Sequence, residues 1–297
     1  MRALRLASAV ATTAVLLGAA TACGSDAKSG DAKGGTKTGE AKPGDTKSAD
    51  AKSADAKGAD PLAAALAADP KAALAASAVV MQKAGNGKVT MIPADPTDPA
   101  GTGDADWKDP AKAAVDLASD IEGKKLRIRV LGTDAYLGGG DDVAPALGGK
   151  HWVKMPADAT GDSFRAVGQM TNPVVLLTVA AQSGKLSKIG QEAVDGVQTT
   201  HLRAEQDTAA LVAGMTALSA GQRTAVQKTL EEDGKTLTID FWLNANQELV
   251  QYKEYGDTNG EKQAVTIKYS NLGKAAAIAA PAAADLGNEA DVLKLLG

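Results

Sequence analysis

From residue 125 onward the chain alternates. Leu126, Ile128 and Val130 take turns with Lys125, Arg127 and Arg129, which predicts a strand with one wet face. The same period is clearest toward the C-terminus. Leu237, Ile239, Phe241 and Leu243 alternate with Thr236, Thr238, Asp240 and Trp242. Leu249 to Tyr255 follows after the turn 244–247, and Val265, Ile267 and Tyr269 after the turn 257–260. Three successive antiparallel strands, each with one apolar face, predict a meander that covers something on one side only.

Weaker patterns fill in the rest. Ala135 to Leu137 and Lys150 to Met155 read as two strands around a glycine-rich turn, with Trp152 and Val153 on opposite faces. Residues 185–194 and 197–206 form a hairpin around Asp195-Gly196. Asp69 and Pro70 start a helix as N-cap and first-turn proline. Leu74, Ala78 and Met81 share one of its faces, and Gly85-Asn86-Gly87 stops it. Residues 88–92 read as a strand, Pro173 to Gln182 as a short helix, and 207–217 and 220–232 as two more, the first capped by Asp207. Residues 93–110, with four prolines, several aspartates and Trp107, read as a long loop, and 111–120 as a short helix or turn. The predicted class is α+β, a strongly curved antiparallel sheet wrapped over a few helices.

The N-terminus carries different information. Arg2 and Arg5 precede an uncharged stretch, Leu6 to Ala20, that ends in Ala20-Thr-Ala-Cys23. This is the layout of a signal peptide over 1–22, too short for a good transmembrane helix. Cys23 is the only cysteine, and its position resembles a bacterial lipobox, with an ordinary signal peptide that contains a cysteine as the alternative. A lipobox implies that Cys23 receives a diacylglyceryl group and holds the chain at the outer face of the cytoplasmic membrane. Each acyl methylene buried is worth about 0.8 kcal/mol, so two or three chains anchor permanently.

Residues 23–60 are then a lipidated cysteine plus a tether. A five-residue unit recurs there, as in Asp26-Ala-Lys-Ser-Gly and Asp50-Ala-Lys-Ser-Ala. Residues 24–60 hold seven acids, seven lysines and no large apolar side chain, a composition that cannot offset chain entropy. Its 37 residues give a reach of roughly 30–36 Å. Lysine binding to an anionic wall polymer is opposed by the interleaved acids. Residues 61–297 form the folded domain.

Composition narrows the partners. The chain has 297 residues, 3% of them aromatic, and a net charge of −4. The domain alone carries 23 bases against 29 acids, which speaks against nucleic acid as a partner. No Gly-x-Ser-x-Gly elbow, phosphate-binding Gly-Lys-Ser/Thr loop or His-Glu-x-x-His occurs. The only Ser-x-x-Lys, Ser25 to Lys28, falls in the tether. His151 and His201 could begin a metal site, but each reads better as a strand residue with one satisfied hydrogen bond. Asp95, Asp98, Asp104, Asp106 and Asp109 could hold Ca²⁺ or form a solvated loop; the spacing fits no EF-hand. Trp107 reads equally as a lid over a cavity mouth or as a staple for its loop. No metal, cofactor or catalytic residue is expected.

Several pieces in order resemble a known family. Asp134-Ala-Tyr-Leu137, Lys150-His-Trp-Val-Lys154, Val194-Asp-Gly-Val197 with Thr200-His-Leu-Arg203, Asp240-Phe-Trp-Leu243, Leu249-Val-Gln-Tyr252 and Val265-Thr-Ile-Lys-Tyr269, leading to Gly273 and Pro281, are similar to the actinobacterial LppX/LprAFG-type lipoproteins, with a fold like that of the LolA/LolB lipoprotein carriers. The resemblance covers roughly 61–285. It implies a half-barrel sheet around helices, with an apolar cavity that holds acylated lipids or glycolipids for transport across the envelope, and no catalytic residues. Cavity candidates, placed by strand and helix parity, are Leu74, Met81, Leu126, Ile128, Val130, Val153, Leu237, Ile239, Phe241, Val265, Ile267 and Tyr269; burial alone also demands an apolar face there. The expected function is a lipid-anchored, monomeric carrier or receptor for an amphiphile; a pocket of several hundred Å³ between sheet and helices is the size such a site usually needs, and the sequence leaves open whether the cavity is open or filled. The alternative is an envelope-protein interaction module of the same fold with a filled core. A hydrolase is disfavoured because no preorganised acid–base pair is visible.

Overall fold

The computed structural model describes residues 69–109, 112–121, 123–156, 159–216 and 218–296. The signal peptide, Cys23 and the tether lie outside them. Helix α1 (Pro70–Ala84) starts where Asp69 accepts hydrogen bonds from the Lys71 and Ala72 amides, and ends at Gly85, whose φ of 72° is the left-handed cap. Six strands follow as a meander: β1 (Asn86–Pro93), β2 (Gly101–Asp106), β3 (Ala114–Ile121), β4 (Lys124–Leu131), β5 (Asp134–Gly139) and β6 (Trp152–Lys154). Helices α2 (Ala159–Met170) and α3 (Pro173–Ser183) cross to a second meander. It comprises β7 (Lys185–Val194), β8 (Val197–Asp207), β9 (Thr236–Asn244), β10 (Leu249–Gly256) and β11 (Val265–Ser270), with α4 (Thr208–Gly214) and α5 (Ala220–Asp233) between β8 and β9. A short helix α6 (Val292–Leu296) ends the chain.

Strands β1 and β11 pair antiparallel and join the meanders into one eleven-stranded sheet, ordered β6-β5-β4-β3-β2-β1-β11-β10-β9-β8-β7. The sheet is antiparallel throughout and not closed. Its concave face supplies Val89, Val115, Leu117, Leu202, Ala204 and the apolar positions of β4, β9 and β11, all buried. Onto it pack α1 against α3 and α2 against α5, inserting Leu74, Met81, Phe164, Val167, Leu176, Leu177, Val226 and Leu230. Each such side chain contributes about 1.5–3 kcal/mol by leaving water.

Two segments correct the sequence expectation. Residues 101–106 are strand rather than loop, and 114–121 are strand rather than helix or turn. β2 has no bulky apolar residue to advertise it. Its pairing with β1 and β3 decides it, and Gly103 permits the approach, since a Cβ there would lie 1.8 Å from the Asp116 carbonyl oxygen. In β3 the alanines mask an alternation in which Val115 and Leu117 point inward while Asp116 meets Arg127 and Arg129 of β4. Helix α2 had no sequence assignment.

The two sheet edges are finished differently. After β11 the tail is tied to Asn86 by the Gly273 and Ala275 amides, to Arg129 at the Ala279 carbonyl, and to Lys150 at the Ala284 carbonyl. It then forms a parallel bridge, Leu286 to Trp152, alongside β6. At the other edge, no strand among the described residues pairs with the outer side of β7. There the β7–β8 register slips at Ile189, between Lys188 and Gly190.

Candidate functional site

The site is built around the C-terminal end of α2. Thr171 and Asn172 form a tight corner into α3: the Thr171 and Asn172 amides donate to the Val167 and Gln169 carbonyls, and Asn172 Oδ1 caps α3 at the Val174 amide, 3.0 Å away. Under this corner two apolar clefts separate helix from sheet. One is lined by Met91, Gly101, Leu117, Ser119, Ile121, Leu126, Ile128 and Val167 and holds about 10 Å³. The other, lined by Met91, Met170, Thr171, Tyr252, Glu254, Val265 and Ile267, holds about 20 Å³. Met91 belongs to both. Tyr252 donates to the Met170 carbonyl at 3.0 Å, and Tyr269 to the Thr171 carbonyl at 2.9 Å. Burial pushes the Tyr269 hydroxyl well above the ordinary phenol range, so it stays a donor.

Of the positions chosen by parity, Leu126 and Ile128 line the first cleft, and Val265 and Ile267 the second. Leu74, Met81, Val130, Val153, Leu237, Ile239, Phe241 and Tyr269 are buried but line neither. Both clefts are narrow seams, well below the several hundred Å³ that a standing small-ligand pocket has. Two larger hollows, of about 870 and 550 Å³, are mixed in character: one sets Lys108, Lys112, Asp106 and Asp109 beside Leu131 and Ile278, the other Lys154, Asp162 and Arg165 beside Met155. The lid reading of Trp107 is corrected. It is 1% exposed, donates through Nε1 to the Met81 carbonyl at 2.6 Å, and meets Tyr269 edge-on at 5.8 Å. Met91, Met170 and Val167 were missed by sequence reasoning. The i, i+3 pair Phe164 and Val167 was the available signal for α2.

Each histidine sits between two carboxylates rather than holding one hydrogen bond. His201 meets Glu192 at 2.8 Å and Asp240 at 3.0 Å, and stacks on Trp242 at 4.3 Å. Burial pushes the Asp240 carboxyl up, but hydrogen bonds from His201 and Arg203 outweigh it and hold the group below its ordinary value. His151 lies just before β6, between Asp285 at 2.9 Å and Asp141 at 3.1 Å. The Asp285 hydrogen bond, with that of Asp141, raises the imidazole above its ordinary value, while His151 in turn lowers Asp285. Glu192 and Asp240 come from the strands flanking β8, Asp141 from the turn after β5 and Asp285 from the tail, so the pairs meet only in the fold. No cluster among the described residues could hold a metal ion, and no described helix is long and apolar enough to cross a membrane. Asp104 and Asp106 lie in β2, and Asp95 holds the turn at Thr97.

No family model matches the chain. A curated relative in Streptomyces griseus, an uncharacterized 31.2 kDa protein of the rplA–rplJ intergenic region, is 32% identical over 177 residues, 57% of this chain and 58% of that protein. The chain thus spans less than two thirds of that relative's length. Two solved structures are similar to the chain. They are LprF from Mycobacterium bovis and lipoprotein LppX from Mycobacterium tuberculosis. LprF is 16% identical, with a TM-score of 0.46, across 75% of this chain and 98% of its own. LppX is 14% identical, with a TM-score of 0.44, across 71% of this chain and 100% of its own.

Proposed function

We propose that the protein is an exported, non-catalytic lipoprotein, anchored through acylated Cys23 at the outer face of the cytoplasmic membrane, that binds an acylated lipid, glycolipid or other amphiphile between α2 and the sheet. The observation that carries this reading is the pair of apolar clefts flanking Met91 under one helix end. Hydrocarbon has no directional requirement, so a seam that parts is as useful as a standing hole. Methionine suits such a wall, because its unbranched thioether repacks around guests of different shape. Met91 and Met170 supply two of them. The mature chain, extracted with organic solvent after purification from membranes, is expected to release an amphiphile detectable by mass spectrometry. It is also expected to take up a dansyl-labelled fatty acid. A clean extract together with no dansyl uptake overturns the proposal.

The clefts' small volume favours a second reading, an envelope-protein interaction module with a filled core. Reproducible capture of one envelope protein by a chain that takes up no amphiphile would select it.

A further inference from the structure

Both clefts share one inner wall, the end of α2, since Val167 lines the first and Met170 and Thr171 line the second. What holds that end down is specific. Two phenols from adjacent strands, Tyr252 on β10 and Tyr269 on β11, each donate to one of two consecutive carbonyls, Met170 and Thr171. The rings lie 6.3 Å apart. The carbonyls lie at the α2–α3 corner, where a helix end has acceptors left over.

We infer that the Tyr252 and Tyr269 hydroxyls are the gate of the amphiphile site: their release lets the α2 corner lift from Met91 and merge the two clefts into one channel. This rests on the amphiphile-binding reading. One element controls both clefts, so they open together. The two hydroxyls differ in kind. Each ring lies between two others, Tyr269 between Trp107 and Tyr252, and Tyr252 between Phe241 and Tyr269, but Tyr252 alone lines the second cleft and would meet the guest. Tyr252 therefore lets go first, and a tail entering beside Val265 and Ile267 displaces its ring.

The test uses the mature full-length chain and the variants Tyr252→Phe, Tyr269→Phe and their double, which keep the ring and lose only the donor. Two readouts are taken: amide hydrogen exchange over residues 164–172, and the entry rate of a dansyl-labelled undecanoic acid. Each lost hydroxyl is expected to speed exchange in 164–172 roughly fivefold, the size of a typical net hydrogen bond, with 220–233 unchanged. Probe entry is expected to accelerate in parallel. If the double variant does not fold cooperatively, Tyr252→Phe alone carries the test. Unchanged exchange overturns the gate. Faster exchange with unchanged entry into a chain that does bind the probe also overturns it. A wild-type chain that takes up no probe overturns the amphiphile reading itself, and the gate with it, whatever exchange shows.

Discussion

Strand β1 runs between two differently built ends of the same interior. At its start, near Gly87, Trp107 fills the gap between α1 and β11, bonded to Met81 and packed edge-on against Tyr269. Farther along, at Met91, the helix above meets the sheet mainly through aliphatic and thioether groups, with the Tyr252 and Tyr269 hydroxyls at its end, and two seams persist. A rigid aromatic with a used polar handle fixes one geometry. Flexible thioether and aliphatic side chains, held down only by the two tyrosine hydroxyls at the α2 corner, leave several packings close in energy. One strand can therefore be clamped at one end and compliant at the other.

The largest break in that contrast comes from the clamped end. Trp107→Ala is expected to destabilise by about 3–5 kcal/mol, read from chemical denaturation. A matched pair sharpens it. Met81→Ala, at a site with no cleft, is expected to lose about 2–5 kcal/mol. Met91→Ala, which already faces seams and loses fewer contacts, is expected to fall at or below the lower end of that range and to bind a dansyl fatty acid more tightly. Equal losses at the two sites, with no gain in binding, would erase the difference between the ends.

A third region, the tail beside β6, should respond to pH while both ends stay unmoved. His151 is raised, so its contribution is complete below its unfolded value and is lost as pH rises through the folded one. Asp285 is lowered, so its contribution is present above its unfolded value and is lost as pH falls through the folded one. Protection of the Gly287 amide, which donates to the Trp152 carbonyl at 2.7 Å, is expected to peak in mildly acid solution after correction for intrinsic exchange. His151→Gln should remove the alkaline limb. The smallest effect belongs to Gly101→Ala. Its Cβ would rest 3.4 Å from Met91 Cε, and stability is expected to change by under about 0.5 kcal/mol. Probe binding should weaken measurably as the first cleft fills.

The same division governs what could be read from the sequence. The β9–β11 meander and the hairpin at Asp195-Gly196 were legible because each strand announces its own buried face. The α1 start was legible because Asp69 and Pro70 are local signals. β2 was not: Gly101 to Asp106 becomes a strand only because β1 and β3 flank it. α2 carries Gly161 and Gly168 and no readable cap, so Phe164 and Val167 alone marked it. Parity placed Leu126, Ile128, Val265 and Ile267 on the inner face because inward direction is a strand property. It could not find Met91 with Met170, since their meeting depends on where a helix settles across the sheet.

The two rims of the sheet set a limit on association. Rim β6 is hemmed by the chain's own Leu286, whereas no described strand covers rim β7, which carries a slipped register and the exposed Lys185 and Lys188. A body with a single unhemmed rim can stitch only to one other, and growth ends at a pair. Removing residues 273–296 unpicks the second rim, and copies with two such rims can be sewn on without end into a ribbon.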